Sequence, residues 1–244
     1  MYLSAPFRSF AFSLLASTAI SGHASALEPS GTAVGVEPAV QASGGAGARV
    51  LEIEGAVFMG DEIVAGPSGL AQIRFIDDTK LVVGPSSRLV IDKFVFNQDN
   101  TARQVTINMV KGAFRFITGK SPHEAYTLRT PTMYIGVRGS VVDVGVFGGI
   151  STAAFTDGSG DICDNSGNCL IASDDCTLHI VTNGQIRTAG RVETQQLLAR
   201  AFPFIASQGA LDVAFRSNVG SCAAVDSRFF GTPEEPSGSG VPYQ

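Results

Sequence analysis

The sequence predicts an all-β chain, folded as a β-sandwich or an irregular β-roll or solenoid, with one short helix near its C-terminal end. Three observations carry this. Between Gly55 and Val146, short apolar or alternating runs recur every 8 to 15 residues, each closed by a turn marked with Gly, Pro or Asn. Only 16% of the 244 residues are charged, while 28 are glycine, a composition that suits a β-rich exported fold. One stretch alone shows apolar residues at helical spacing.

The strands follow from alternation. Ala71, Ile73 and Phe75 point one way, with Gln72 and Arg74 opposite. Val105, Ile107 and Met109 alternate with Thr106 and Asn108, Phe114 and Phe116 flank Arg115, and Val142, Val144 and Val146 lie opposite Asp143. Leu81-Val82-Val83 and Leu89-Val90-Ile91 are apolar on both faces, as interior strands are. Asp77-Asp78 suits a two-residue hairpin loop. Gly66-Pro67-Ser68-Gly69 and Gly84-Pro85-Ser86-Ser87 are near-duplicate turns, each leading into a new strand. Leu197, Leu198, Ala201, Phe202 and Ile205 share a helix face, and Pro203 ends or kinks that helix, giving an expected helix over Glu193–Phe202.

The ends read differently. Arg8, the apolar run Phe10–Ile20 and Ala24-Ser25-Ala26 form a signal peptide over residues 1–26, cleaved before Leu27. An apolar run of about 11 residues is too short for a bilayer, which needs about 20, so no stable membrane insertion is expected. Residues 27–47 are rich in Pro, Gly, Ala and Ser without periodicity and are expected to be a flexible leader. Residues 231–244 read as a disordered tail. Between them lie a β domain over 48–147 and a C-terminal β extension over 148–230 holding the helix and the cysteines.

Charge narrows the partners. The formal net charge is −5, and cleaving residues 1–26 removes one base and no acid. A mildly acidic domain with scattered Lys and Arg lacks the basic face that displaces counterions from nucleic acid.

Cys163, Cys169, Cys176 and Cys222 all lie in the C-terminal half, and an even number in an exported chain predicts two disulfides. Of three connectivities, the turn-rich loop between Cys163 and Cys169 favours that pair, leaving Cys176 with Cys222. The spacing C-x5-C-x6-C with His179 nearby does not make a metal site. Asp157, Ser159, Asp161, Asp164, Asn165, Asn168, Asp174 and Asp175 form an oxygen-rich stretch without the calcium-loop register, and read as solvated turns. His123 reads as a surface histidine and His179 as a packed one.

Neither G-x-S-x-G nor H-E-x-x-H occurs. Asp61, Asp77, Asp78, Asp92 and Asp143 could supply two carboxylates for glycoside hydrolysis, but acids at turns are common in β domains. No catalytic residue and no cofactor is assigned. Arg138, flanked by accessible backbone, reads either as a structural guanidinium satisfying turn carbonyls or as an anion-binding cation.

The ordered series Gly60-Asp61-Glu62-Ile63, Gly69-Leu70-Ala71-Gln72-Ile73-Arg74-Phe75, Asp77-Asp78-Thr79-Lys80-Leu81, Gly84-Pro85-Ser86-Ser87, Gly112-Ala113-Phe114-Arg115-Phe116, Thr130-Pro131 and Ile135-Gly136-Val137-Arg138-Gly139-Ser140 resembles the FecR domain, the periplasmic sensor-type domain of ferric-citrate regulators. The resemblance covers roughly Val50 to Phe147, with Asp78 where the family has Gly and Ser140 where it has Thr. It implies a non-enzymatic sensor or protein-binding domain in the periplasm of a Gram-negative bacterium, or secreted from it. An envelope or membrane protein is the expected partner, and a small ligand is a further one. Full regulators of this type also carry a cytoplasmic sigma-factor-holding segment and a membrane helix. With a cleavable signal in their place, this chain is expected to be the exported half of such a device. The alternative is a structural or assembly protein whose β edges accept added strands.

Overall fold

A computed structural model describes residues 27–173, 176–219 and Cys222. The expected signal peptide (1–26) and tail (231–244), and with them Asp174 and Asp175, lie outside the described residues. The described residues form fifteen strands: β1 Pro29–Glu37, β2 Val40–Gly44, β3 Gly47–Val50, β4 Ala56–Phe58, β5 Glu62–Ala65, β6 Leu70–Phe75, β7 Lys80–Val83, β8 Arg88–Phe96, β9 Ala102–Ile117, β10 Tyr126–Arg129, β11 Met133–Phe147, β12 Ile150–Asp164, β13 Cys169–Ser173, β14 His179–Thr182 and β15 Gln185–Thr188. Two helices follow, α1 Arg191–Ala201 and α2 Pro203–Ala206.

All strands belong to one mixed sheet, folded over into two layers. The first layer runs β3-β2-β5-β8-β9-β10-β11-β12-β13 and the second β4-β1-β6-β7-β9-β11-β12-β14-β15. Strands β9, β11 and β12 appear in both. The N-terminal half of β9 pairs with β8 and β10, its C-terminal half with β7 and β11. Core side chains from both layers meet between them, with Phe75 of β6 stacked on Phe94 of β8 at 4.4 Å.

A strand that changes layer must bend, and each bend is built from a glycine with positive φ beside a serine hydroxyl. In β9 it is Gly112 (φ 110°), where a Cβ would lie 2.1 Å from Ser87 Oγ. That hydroxyl accepts the Ala113 N–H at 3.0 Å and is within donating distance of the Ala113 carbonyl at 3.2 Å. In β11 and β12 the bends face each other at Gly139 (φ 59°) and Gly158 (φ 70°), where the register shifts between Arg138 and Val141. Ser140 Oγ accepts the Ser159 N–H at 2.8 Å and donates to backbone carbonyl, so the orphaned groups of the irregular strand are satisfied. Gly136, by contrast, is ordinary strand with room for a side chain. The duplicate turns are also coupled: the Ser86 N–H donates to the Gly66 carbonyl at 2.9 Å.

Residues 27–47 are not a flexible leader. They build β1, β2 and the start of β3, with Ala33, Val40 and Ala42 fully buried. The glycines that suggested flexibility serve close approach: a Cβ on Gly31 would lie 2.6 Å from the Arg74 carbonyl oxygen, and one on Gly35 would lie 2.5 Å from the Gln72 amide. The boundary expected at 147–148 falls in the β11–β12 turn, and β12 pairs along the whole of β11, so the sheet runs through it unbroken. Asp77-Asp78 sit within a longer turn over residues 76–79, with Asp78 left-handed (φ 63°). The expected helix forms as α1, and Pro203 ends it by opening α2.

Gly112→Ala is expected to cost more than about 2 kcal/mol, since it adds left-handed strain and a clash with Ser87. Gly148→Ala, with positive φ but nothing within 4 Å of the added Cβ, should cost about 1 kcal/mol. Urea unfolding of the two variants measures the difference.

Candidate functional site

Two motif carboxylates are fully buried and spent on architecture. Asp61 binds Arg49 through both oxygens and accepts the Phe58 N–H at 2.8 Å, closing the turn between β4 and β5. Asp77 accepts from the Thr79 N–H and hydroxyl, from Ser121 Oγ at 2.6 Å and from the Tyr126 hydroxyl at 3.0 Å. The Tyr126 oxygen in turn accepts the Gly119 and Ser121 N–H groups, each at 3.1 Å. Burial pushes the Tyr126 hydroxyl up from its ordinary range, and Asp77 beside it adds to that.

The third carboxylate organises a whole face. On the outer side of the second layer, Gln72, Val82, Arg115, Asp143 and Ala154 form one cross-strand row over β6, β7, β9, β11 and β12. Arg115 and Asp143 are both 0% exposed, with Nε 3.1 Å and 3.2 Å from the two carboxylate oxygens and Nη2 2.9 Å from Oδ2. Residues 191–217 lie over this row as a strap. Gln208 Oε1 accepts from Arg115 Nη1, Phe204 stacks under the guanidinium at 5.9 Å, and the Asp212 N–H donates to Gln72 Oε1 at 2.7 Å. Phe204, Leu211 and Phe215 pack on Leu70 and Val82, and Phe202 packs with Ala154. Gly145 lets α1 approach, since a Cβ there would lie 2.6 Å from that of Ala201. Burial pushes the Asp143 carboxyl up, and the Arg115 charge pulls it back.

The outer side of the first layer is different. Its central row, Glu62–Val90–Asn108–Arg129–Tyr134–Cys163–Cys169, crosses β5, β8, β9, β10, β11, β12 and β13 in continuous register. Arg129 and Cys169 are exposed, Tyr134 is 41% exposed, and the Arg129 guanidinium stacks on the Tyr134 ring at 5.4 Å. Arg138 sits four residues beyond Tyr134 along β11, exposed, with Nη2 2.6 Å from Asp161 Oδ2. It satisfies a carboxylate on β12, not turn carbonyls, and it is not a free cation. Among the described residues strand β13 pairs with β12 alone, and it presents Ile171, 76% exposed. This face, with β13 at its edge, is the candidate interaction site.

The cysteines pair as Cys163–Cys169 and Cys176–Cys222. The first bridges a polar turn in which Asp164 accepts the Ser166 and Asn168 N–H groups and the Asn168 amide. These bonds, the Asn168 amide foremost, hold its carboxyl below the usual range. Of the oxygen-rich stretch, Asp161 and Asp164 thus have protein partners. Among the described residues no group of three or more His, Cys, Asp or Glu could hold a metal ion. His123 lies against the Gly139 bend, and His179 is buried in β14. Asp78 pairs with Lys120 at 3.4 Å.

Sequence reading missed Arg115 and Gln208. A charge between Phe114 and Phe116 on a central strand, with Asp143 in a like setting, was the available signal. Arg115→Met should cost about 3–5 kcal/mol by leaving Asp143 buried and unpaired. Arg115→Met with Asp143→Leu should recover most of that loss in the same denaturant titration.

Residues 61–159 match the family model described as FecR protein. Two crystal structures of a "putative anti-sigma factor" from Parabacteroides distasonis, at 1.65 and 2.50 Å resolution, align with the chain. They do so at 16% and 15% identity, with TM-scores of 0.42 and 0.41. Each alignment covers 53% of this chain and 59% of the other, so the chain matches less than two thirds of that protein's length. No curated protein matches the sequence. Buried Asp61 and Asp77, the paired serine hydroxyls and the glycine bends account for most of the motif series within residues 61–159, the stretch that matches the FecR model.

Proposed function

We propose that this chain is an extracytoplasmic, non-enzymatic FecR-type domain that binds an envelope protein and serves signalling of the kind that ends in sigma-factor regulation. The FecR domain supports the regulatory role. Two disulfides within the chain support an oxidising compartment. The binding role rests on one observation: the helices pack on the second layer, while the first layer turns an exposed row through Arg129 and Tyr134 to solvent. Exposed Tyr and Arg at the centre of a flat sheet face are the side chains that most often anchor protein interfaces. Three of the five aspartates considered for glycoside hydrolysis are buried and engaged by partners, Asp61 by Arg49, Asp77 by Tyr126 and Asp143 by Arg115.

A second reading, assembly by strand addition, is favoured by β13, whose free edge carries exposed Ile171.

Arg129→Ala with Tyr134→Ala should leave the melting temperature nearly unchanged and weaken capture of the envelope partner by about 2 kcal/mol, roughly thirtyfold in Kd. Equal capture by the native chain and this variant would remove the first-layer face as the binding site. Loss of capture on Ile171→Asp alone, with Arg129 and Tyr134 intact, would move the site to the β13 edge.

A further inference from the structure

We infer that residues 191–217 are a displaceable strap locked by the Cys176–Cys222 disulfide, so that a dithiol reductant uncovers the outer face of the second layer. The strap adds no strand to the sheet. Its contacts with the sheet are made by side chains and a few hydrogen bonds: Arg115 donates to Gln208, the Asp212 N–H to Gln72 and Thr156 to Ser217, and Arg187 of β15 pairs with Glu193. The hydrogen-bonded framework of β6, β7, β9, β11 and β12 is complete beneath it. Helices of 11 and 4 residues are too short to persist alone, so the strap is ordered only while docked.

What the strap covers also favours release. Packing of Phe204, Leu211 and Phe215 on Leu70 and Val82 stabilises the docked state. Docking, however, also strips water from Arg115 and Asp143, and that desolvation opposes the gain. Uncovering returns water to both charges. The disulfide then tips the balance: it ties Cys222, just past the strap, to Cys176, which donates its N–H to Phe155 of β12. Closing a loop over a sequence separation of 46 makes the docked strap effectively intramolecular at both ends.

The redox step balances. A dithiol gives two electrons and two protons to the Cys176–Cys222 bond, yielding two thiols, and becomes a disulfide itself. The uncovered row would offer one amide (Gln72), one ion pair (Arg115 with Asp143) and apolar flanks (Leu70 and Val82). A partner segment fits it by supplying what the strap supplies, an amide between aromatic or leucine side chains.

Amide hydrogen exchange of the full exported chain, read by mass spectrometry, tests this. Peptides from residues 194–217 should exchange about tenfold or more faster in Cys176→Ser with Cys222→Ser than in the native chain, while peptides within β9 and β11 stay as protected as before. Cys163→Ser with Cys169→Ser should leave the strap's exchange unchanged. Unchanged strap exchange in the first variant overturns the proposal, as does equal acceleration of β9 and β11, which would make the strap part of the cooperative core. Equal acceleration by loss of the other disulfide overturns it too. Should the first variant fail to fold, the folded native chain treated with a dithiol gives the same reading, and Gln208→Ala with both disulfides intact should show partial acceleration. No acceleration in either overturns it.

Discussion

Three strands that belong to two layers at once set the constraints on this molecule. Strands β9, β11 and β12 each begin in one layer and end in the other, so the layers cannot part without breaking the strands' own hydrogen bonds. Such a strand needs a sharp bend where ladder bonds are lost, and a buried backbone group without a partner costs as much as a lost hydrogen bond. Gly112, Gly139 and Gly158 supply the conformations, and the Ser87 and Ser140 hydroxyls supply the missing partners. The motif elements of the family domain are largely the parts of these bends and of the buried carboxylate turns.

The folded sheet has two outer faces, and the chain treats them differently. One is closed by its own C-terminal segment over a buried ion pair, bridged by Gln208. The other stays open, with Arg129 and Tyr134 at its centre. A buried pair such as Arg115–Asp143 contributes little net stability, because desolvation offsets its attraction, but it fixes geometry strongly: an unpaired charge there would be far costlier. Gln208 accepts from the Nη1 that Asp143 does not reach, which ties the strap to the ion pair. One outer face is thus covered by the chain itself and the other is exposed.

How much of this was legible in the sequence depended on distance along the chain. Alternation in 70–76, 105–109 and 142–146 reads directly as strand because each residue's neighbours decide its face. The helix near Leu197 and its end at Pro203 are equally local. Gly31 and Gly35 misled, since a glycine kept for close approach to Arg74 and Gln72 looks the same in sequence as one kept for flexibility; only the partner strand tells them apart. Arg115 and Asp143 are 28 residues apart, and Gln208 is 93 beyond Arg115, so their meeting depends on topology that periodicity does not encode. Arg138 was visible as an exposed cation beside glycine, but its partner Asp161 lies across a hairpin whose register is set by the bends.

On the proposed function, the exposed first-layer face takes the partner while the second is sealed by the chain itself. Hydroxyl-radical footprinting of the complex with the captured envelope protein tests this most directly. The account predicts that Tyr134 and Ile171 oxidise readily in the free chain and are shielded in the complex, while Phe204 and Phe215 stay unreactive in both. Shielding that fell on residues 191–217, with Tyr134 and Ile171 equally reactive in both states, would contradict it.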